Sequence, residues 1–114
     1  MDSILTSVKQ SVGITEDYTI FDTDIVMYIN SVFMALRQFG VGPEKGYRIT
    51  DKNDKWSDFV PEDDLMYDGI KTYVCNRVRL MFDPPANSSL LESLRQNVAE
   101  FEWRLNWEYE LSLS

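Results

Sequence analysis

Between Met66 and Phe82 the sequence reads MYDGIKTYVCNRVRLMF, and no other segment carries apolar residues around so much of a helical circumference. At about 100° per residue, Met66, Ile70, Tyr73, Val74, Val78, Leu80 and Met81 fall on one side. Tyr67, Cys75 and Phe82 widen that arc beyond half the cylinder, so the segment reads as a central helix that needs neighbours on more than one side. Asp68, Thr72, Asn76 and Arg79 form the remaining polar strip. Arg77 is the inconsistency, because it falls near the middle of the apolar arc. A guanidinium keeps its proton and is costly to bury alone. Arg77 must therefore snorkel, meet a carboxylate, or face a second molecule.

Upstream, Ile4, Leu5, Val8 and Val12 recur at helical spacing, with Asp2 or Ser3 as N-cap and Gly13 to end the turn. After a polar stretch, Asp22 or Thr23 caps a second helix whose Ile25, Ile29, Val32, Phe33 and Leu36 share one face. Gly40 stops it. From Gly40 to Pro61 the helical period disappears, and Gly42-Pro43, Gly46 and Asp51-Lys52-Asn53-Asp54 mark turns. Tyr47-Arg48-Ile49-Thr50 alternates, which predicts a short strand or hairpin. A connection of about 20 residues is long for a small domain, and such loops tend to be functional. Tyr47, Ile49, Trp56 and Phe59 make this excursion a candidate for subunit or partner contact, the other outcome being a satellite core beneath it. Pro61, Glu62, Asp63 and Asp64 then place a proline and three carboxylates at the expected start of the central helix.

Asp83-Pro84-Pro85 ends the central helix. Ser89 and Glu92 have capping-box spacing, and Leu91, Leu94, Val98, Phe101 and Leu105 form a narrow seam for packing against another helix. After Asn106 the pattern changes to strict alternation. Trp107, Tyr109, Leu111 and Leu113 would share one face of an extended strand, with Glu108, Glu110, Ser112 and Ser114 on the other. These features predict an all-α antiparallel bundle of about four helices. Residues 1–106 make a single domain, and residues 107–114 form an extended tail that waits for a groove or sheet edge on another molecule.

With 114 residues there is room for one domain with a real core. A net charge of -8 disfavours gripping nucleic acid or an anionic membrane. Cys75 has no second cysteine to pair with and reads as a small core hydrophobe in a reducing compartment. The opening MDSILTSVKQ has neither a basic region nor a long apolar run, which predicts a soluble protein that stays in the cytosol where it is made. The chain has no histidine, no glycine-rich phosphate loop and no nucleophile elbow. No catalytic residue, cofactor or metal site is therefore expected. Asp51, Asn53 and Lys55 faintly echo a calcium loop, but Lys55 stands where an oxygen ligand belongs and Trp56 where glycine is needed.

Five stretches, SILTSVKQSVGI, FDTDIVMYINSVFMALRQFGVGP, WSDF, KTYVCNRVRLMFDPP and LESLRQNVAEFEWRLN, span nearly the whole chain in order. Through them the chain resembles the small head-tail connector, or head-completion, proteins of tailed bacteriophages. The resemblance implies a mostly helical structural subunit that forms a ring, commonly a dodecamer, below the portal. That ring extends the DNA channel and docks the next neck or tail protein. It also implies assembly in the host cytoplasm and a mature place at the virion neck, with DNA passing through without sequence-specific contacts. Size and charge alone equally suit a different class, a small acidic binding module or inhibitor of a host enzyme. The residues expected at oligomer or partner contacts are Tyr47, Ile49, Trp56, Phe59, Arg77, Trp107, Tyr109, Leu111 and Leu113.

Overall fold

The computed structural model describes residues 2–114. Five helices follow one another: α1 (Ile4–Ser11), α2 (Asp22–Arg37), α3 (Trp56–Phe59), α4 (Tyr67–Phe82) and α5 (Ser88–Leu113). The fold is all-α, as the periodicities require. The fifth element is the single turn α3, inside the long connection. Ser3 caps α1, its hydroxyl accepting from the Thr6 amide at 3.2 Å. The α2 face named from spacing alone, Ile25, Ile29, Val32, Phe33 and Leu36, is the set of α2 residues that is buried.

The central helix α4 packs against α1, α2 and α5. Ile70, Tyr73, Val74 and Val78 are its buried residues. The two flanks of α4 have different partners. Phe82 meets Tyr28 of α2, whereas Tyr73 lies against Phe101 of α5 with ring centroids 5.3 Å apart. Gly69 permits the second approach, since a Cβ there would stand 2.9 Å from the Phe101 ring. Half-buried Cys75 packs against the same core, and burial pushes its thiol pKa up, as for a small apolar side chain.

Four local expectations are corrected. The alternating Tyr47–Thr50 stretch is not a strand, because the Asn30 side chain takes the place of a partner strand. Its Nδ2 donates to the Ile49 carbonyl at 3.0 Å and its Oδ1 accepts from the Ile49 amide at 2.7 Å. The only bridge among the described residues is the isolated pair Ser3 and Lys55. Second, α4 begins at Tyr67 instead of Pro61, and Asp64 serves the turn before it by accepting from the Met66 amide at 2.8 Å. Third, two expected caps differ: Asn87 caps α5, accepting from the Ser89 and Leu90 amides, in place of a Ser89–Glu92 box. Likewise Asp22 is not the cap of α2 but the partner of a lysine described below.

The fourth correction concerns residues 107–113, which continue α5 as helix instead of forming an extended tail. With no strand among the described residues to accept it, an extended segment would leave its amides unpaired, whereas another two turns of helix satisfy each one. The alternating pattern also contains helical spacing: Leu105 and Tyr109 stand one turn apart on the inward side. Leu105 is buried, and the Tyr109 ring lies against Gly40.

Candidate functional site

The apolar residues of the long connection turn inward. Ile49, Trp56 and Phe59 belong to the core, and Tyr47 is half-buried beside them. Phe59 stacks on Phe33 of α2 at a centroid distance of 4.1 Å, Tyr47 flanks both rings, and the Trp56 indole N–H donates to Ser7 Oγ at 2.9 Å. In this conformation those side chains hold the connection down and offer little to a partner. The polar turn serves the same end. Asp54 Oδ2 accepts from the Thr50 and Asp51 amides, and Asp51 Oδ1 from the Asn53 amide, so both carboxylates satisfy backbone. Burial, then the charges of Asp54 and Asp58, push the Tyr47 hydroxyl up to about 12. That hydroxyl is buried without a hydrogen-bond partner.

Arg77 meets a carboxylate of its own chain. Its Nη1 donates to Glu102 Oε2 of α5 at 2.9 Å and to the Tyr73 hydroxyl at 2.7 Å. Tyr73 in turn donates to the same Glu102 oxygen at 2.6 Å. Burial, reinforced by the bond to Glu102, pushes the Tyr73 hydroxyl up to about 12 although Arg77 pulls the other way. The triangle joins α4 to α5. It is only partly enclosed, with the Arg77 and Glu102 side chains 27% and 38% exposed, so its Coulombic worth is modest. The charge most deeply enclosed is one that helix spacing places only at the margin of an apolar face. Lys9 of α1, 2% exposed, pairs with Asp22 at 2.8 Å and donates to the Glu16 carbonyl at 3.0 Å. Its one signal in the sequence is its position directly after Val8.

The outward surface of α5 is different. Over 26 residues this helix buries only Val98 and Leu105. On the opposite side of its circumference lie Trp103, Trp107 and Leu111, four residues apart each time. Trp103 is 65% and Trp107 52% exposed, and their rings stack on each other with centroids 5.8 Å apart. Leu113 is exposed as well. Of the residues expected to make contacts, Trp107, Leu111 and Leu113 are accessible, Tyr109 is half-buried on the inward side, and Trp103 joins them. Glu100, Glu108 and Glu110 border the strip, with Arg104 held by Glu100 at 2.7 Å.

A second outward apolar strip runs along α2. Met27 and Met34, two turns apart, are exposed on the side away from Ile25, Ile29 and Leu36, with exposed Ser31 between them. Arg48 and Lys52 stand beside Met27 around a hollow of about 530 Å³, which also carries Glu16 and Asp51. Because α2 and α5 cover different flanks of α4, the two strips point away from the molecule in different directions.

A family model described as phage connector protein matches residues 4–112. Neither the curated proteins nor the solved structures yield a match.

Proposed function

Because the chain belongs to the phage connector protein family, we propose that it is the head-tail connector subunit of a tailed phage, forming a closed ring, a dodecamer in the virion, beneath the portal. The ring extends the DNA channel and presents a surface to the next neck or tail protein. The observation that carries this reading is the strip of Trp103, Trp107 and Leu111 on α5, an apolar surface that its own subunit leaves uncovered. Aromatic side chains of this kind anchor interfaces more often than they decorate free surfaces.

The occupant of the strip is a second copy of this chain. Two unlike strips on different flanks favour a head-to-tail contact, in which α5 of one subunit meets α2 of the next, over a twofold contact of one patch with itself. Head-to-tail contacts close into rings when the rotation between subunits closes. Charge agrees with this pairing: glutamates border the α5 strip, and Arg48 and Lys52 stand by the α2 strip. The net charge of -8 keeps the ring from holding passing DNA. Catalysis has no place in this role.

Electron microscopy of the protein mixed with the portal of its own phage tests the reading. Annular density below the portal is the expected result. A protein that neither joins the portal nor forms rings with it, and stays monomeric at high concentration, overturns it.

A further inference from the structure

The end of α5, the connection after α2 and the segment after α3 enclose an open groove of about 790 Å³. Its floor is apolar, built from Phe39, Val41, Phe59, Val60, Ile70 and Leu105. Its polar margin is of one sign. Asp58, Asp64 and Glu108, from three different segments, all line it and are exposed, and no lysine or arginine does. The groove is also held in shape. Gly42, with φ +90°, brings the backbone so close to Phe59 that a Cβ there would stand 2.5 Å from the ring, and the Tyr109 ring lies against Gly40 on the other wall. In the hollow beside α2, by contrast, Glu16 and Asp51 sit among Arg48 and Lys52. Here they do not.

We propose that this groove binds a segment of a different polypeptide in which a lysine or arginine stands beside a few apolar side chains. The apolar residues fill the floor, and the cation meets Asp58, Asp64 and Glu108 at the rim. The volume lies within the about 300–1,000 Å³ of sites that bury a drug-sized ligand, so the groove takes an anchor of a few side chains and not a whole helix. The charge pattern selects the occupant, because a neutral apolar segment leaves three carboxylates beside a dry floor and an acidic one meets repulsion. This chain's own cations beside exposed apolar side chains already have carboxylates next to them: Arg104 is held by Glu100, and Arg48 and Lys52 beside Met27 share their hollow with Glu16 and Asp51. A second copy is therefore the poorer occupant. The inference goes beyond the ring: subunits can close a ring with the groove empty, and the groove can bind in a monomer.

The test uses the full chain and a short synthetic peptide alternating leucine and lysine, with a leucine–glutamate peptide of the same length as control. Amide shifts on titration are expected for residues 39–42, 57–60 and 105–112 with the lysine peptide and not with the glutamate peptide. The variant Asp58→Asn, Asp64→Asn, Glu108→Gln is expected to bind about tenfold or more weakly. The three carboxylates are exposed, and the amide oxygen supplied by Asp64→Asn can still accept from the Met66 amide, so the variant is expected to keep its melting temperature. The variant Glu16→Gln, Asp24→Asn, Glu92→Gln removes the same charge outside the groove and is expected to bind as the unsubstituted protein does. Shifts scattered over the surface, equal loss in both variants, or no binding at all overturn the proposal. Groove shifts that grow with protein concentration in the absence of peptide make a second copy the occupant and overturn it as well.

Discussion

The connection after α2 and the C-terminal half of α5 are both rich in large apolar side chains, and they treat those side chains in opposite ways. Ile49 stands in irregular chain and Trp56 and Phe59 at the two ends of the single turn α3, and all three are sealed in the core, while Trp103, Trp107 and Leu111 stand on the longest helix and face outward. The reason is geometric. An irregular chain can bend each apolar residue toward an uncovered flank, here the Phe33 side of α2 and the N-terminal turn of α1. A helix cannot do so, because its rigid circumference turns one face inward only by turning the other outward. The central helix α4 has neighbours on several sides and covers both its apolar faces, whereas α5, packed on one side, leaves its outer apolar face uncovered. Burial of aromatic residues in a loop is thus a statement about stability. Their exposure on a helix is what the proposed association rests on.

The largest expected effect lies inside this comparison. Trp56→Ala should destabilise the isolated subunit by about 3–5 kcal/mol in urea titrations, whereas Trp103→Ala should change it by less than about 0.5 kcal/mol. Similar losses from the two substitutions would show that α5 is covered within its own subunit. Gly42→Ala comes next. A side chain at φ +90° facing Phe59 should cost about 1–3 kcal/mol and loosen the connection, seen as faster amide exchange from residue 41 to 60. Arg77→Met should cost about 1 kcal/mol, since the pair with Glu102 is partly exposed. If the same substitution left the subunit stable and abolished assembly, the arginine would be acting across the interface.

The smallest effect at neutral pH is the titration of the tyrosines. Tyr47, Tyr67 and Tyr73 are each pushed up to about 12, in every case chiefly by burial, with Tyr67 also donating to Asp2. Unfolded tyrosines lose their protons near pH 10. Between about pH 10 and about pH 12 the folded state therefore holds more protons than the unfolded one, so stability falls as pH rises through that interval. Urea midpoints at about pH 9 and about pH 11 read the slope, which Tyr73→Phe should reduce. A slope unchanged by that substitution would remove Tyr73 from the explanation.

Much of this was legible in the residues. The buried face of α2, that of α4 apart from the exposed Met81, and the seam of α5 follow from helical spacing, because burial on a regular element repeats with the element's period, and Ser3 is one of the two caps, Asp2 or Ser3, that the start of α1 offers. That Tyr47–Thr50 forms no hairpin is not legible in the sequence, because the partner of Ile49 is the side chain of Asn30, nineteen residues away, and nothing local marks it. The end of α5 was misread since Trp107, Tyr109, Leu111 and Leu113 satisfy an alternating pattern and a helical one at once, and only the absence of a strand to receive them among the described residues decides. The pairings Arg77–Glu102 and Lys9–Asp22 join residues far apart in the chain. Spacing could pose the problem of Arg77 but could not name its partner.

The three tryptophans give the most direct test of the claim that α5 turns an apolar face to another subunit. Hydroxyl-radical oxidation, read by mass spectrometry, should modify Trp103 and Trp107 in the isolated subunit and leave Trp56 untouched. In connector assembled on its portal, Trp103 and Trp107 should become as protected as Trp56. Oxidation of Trp103 and Trp107 that is undiminished in the assembly would contradict the account.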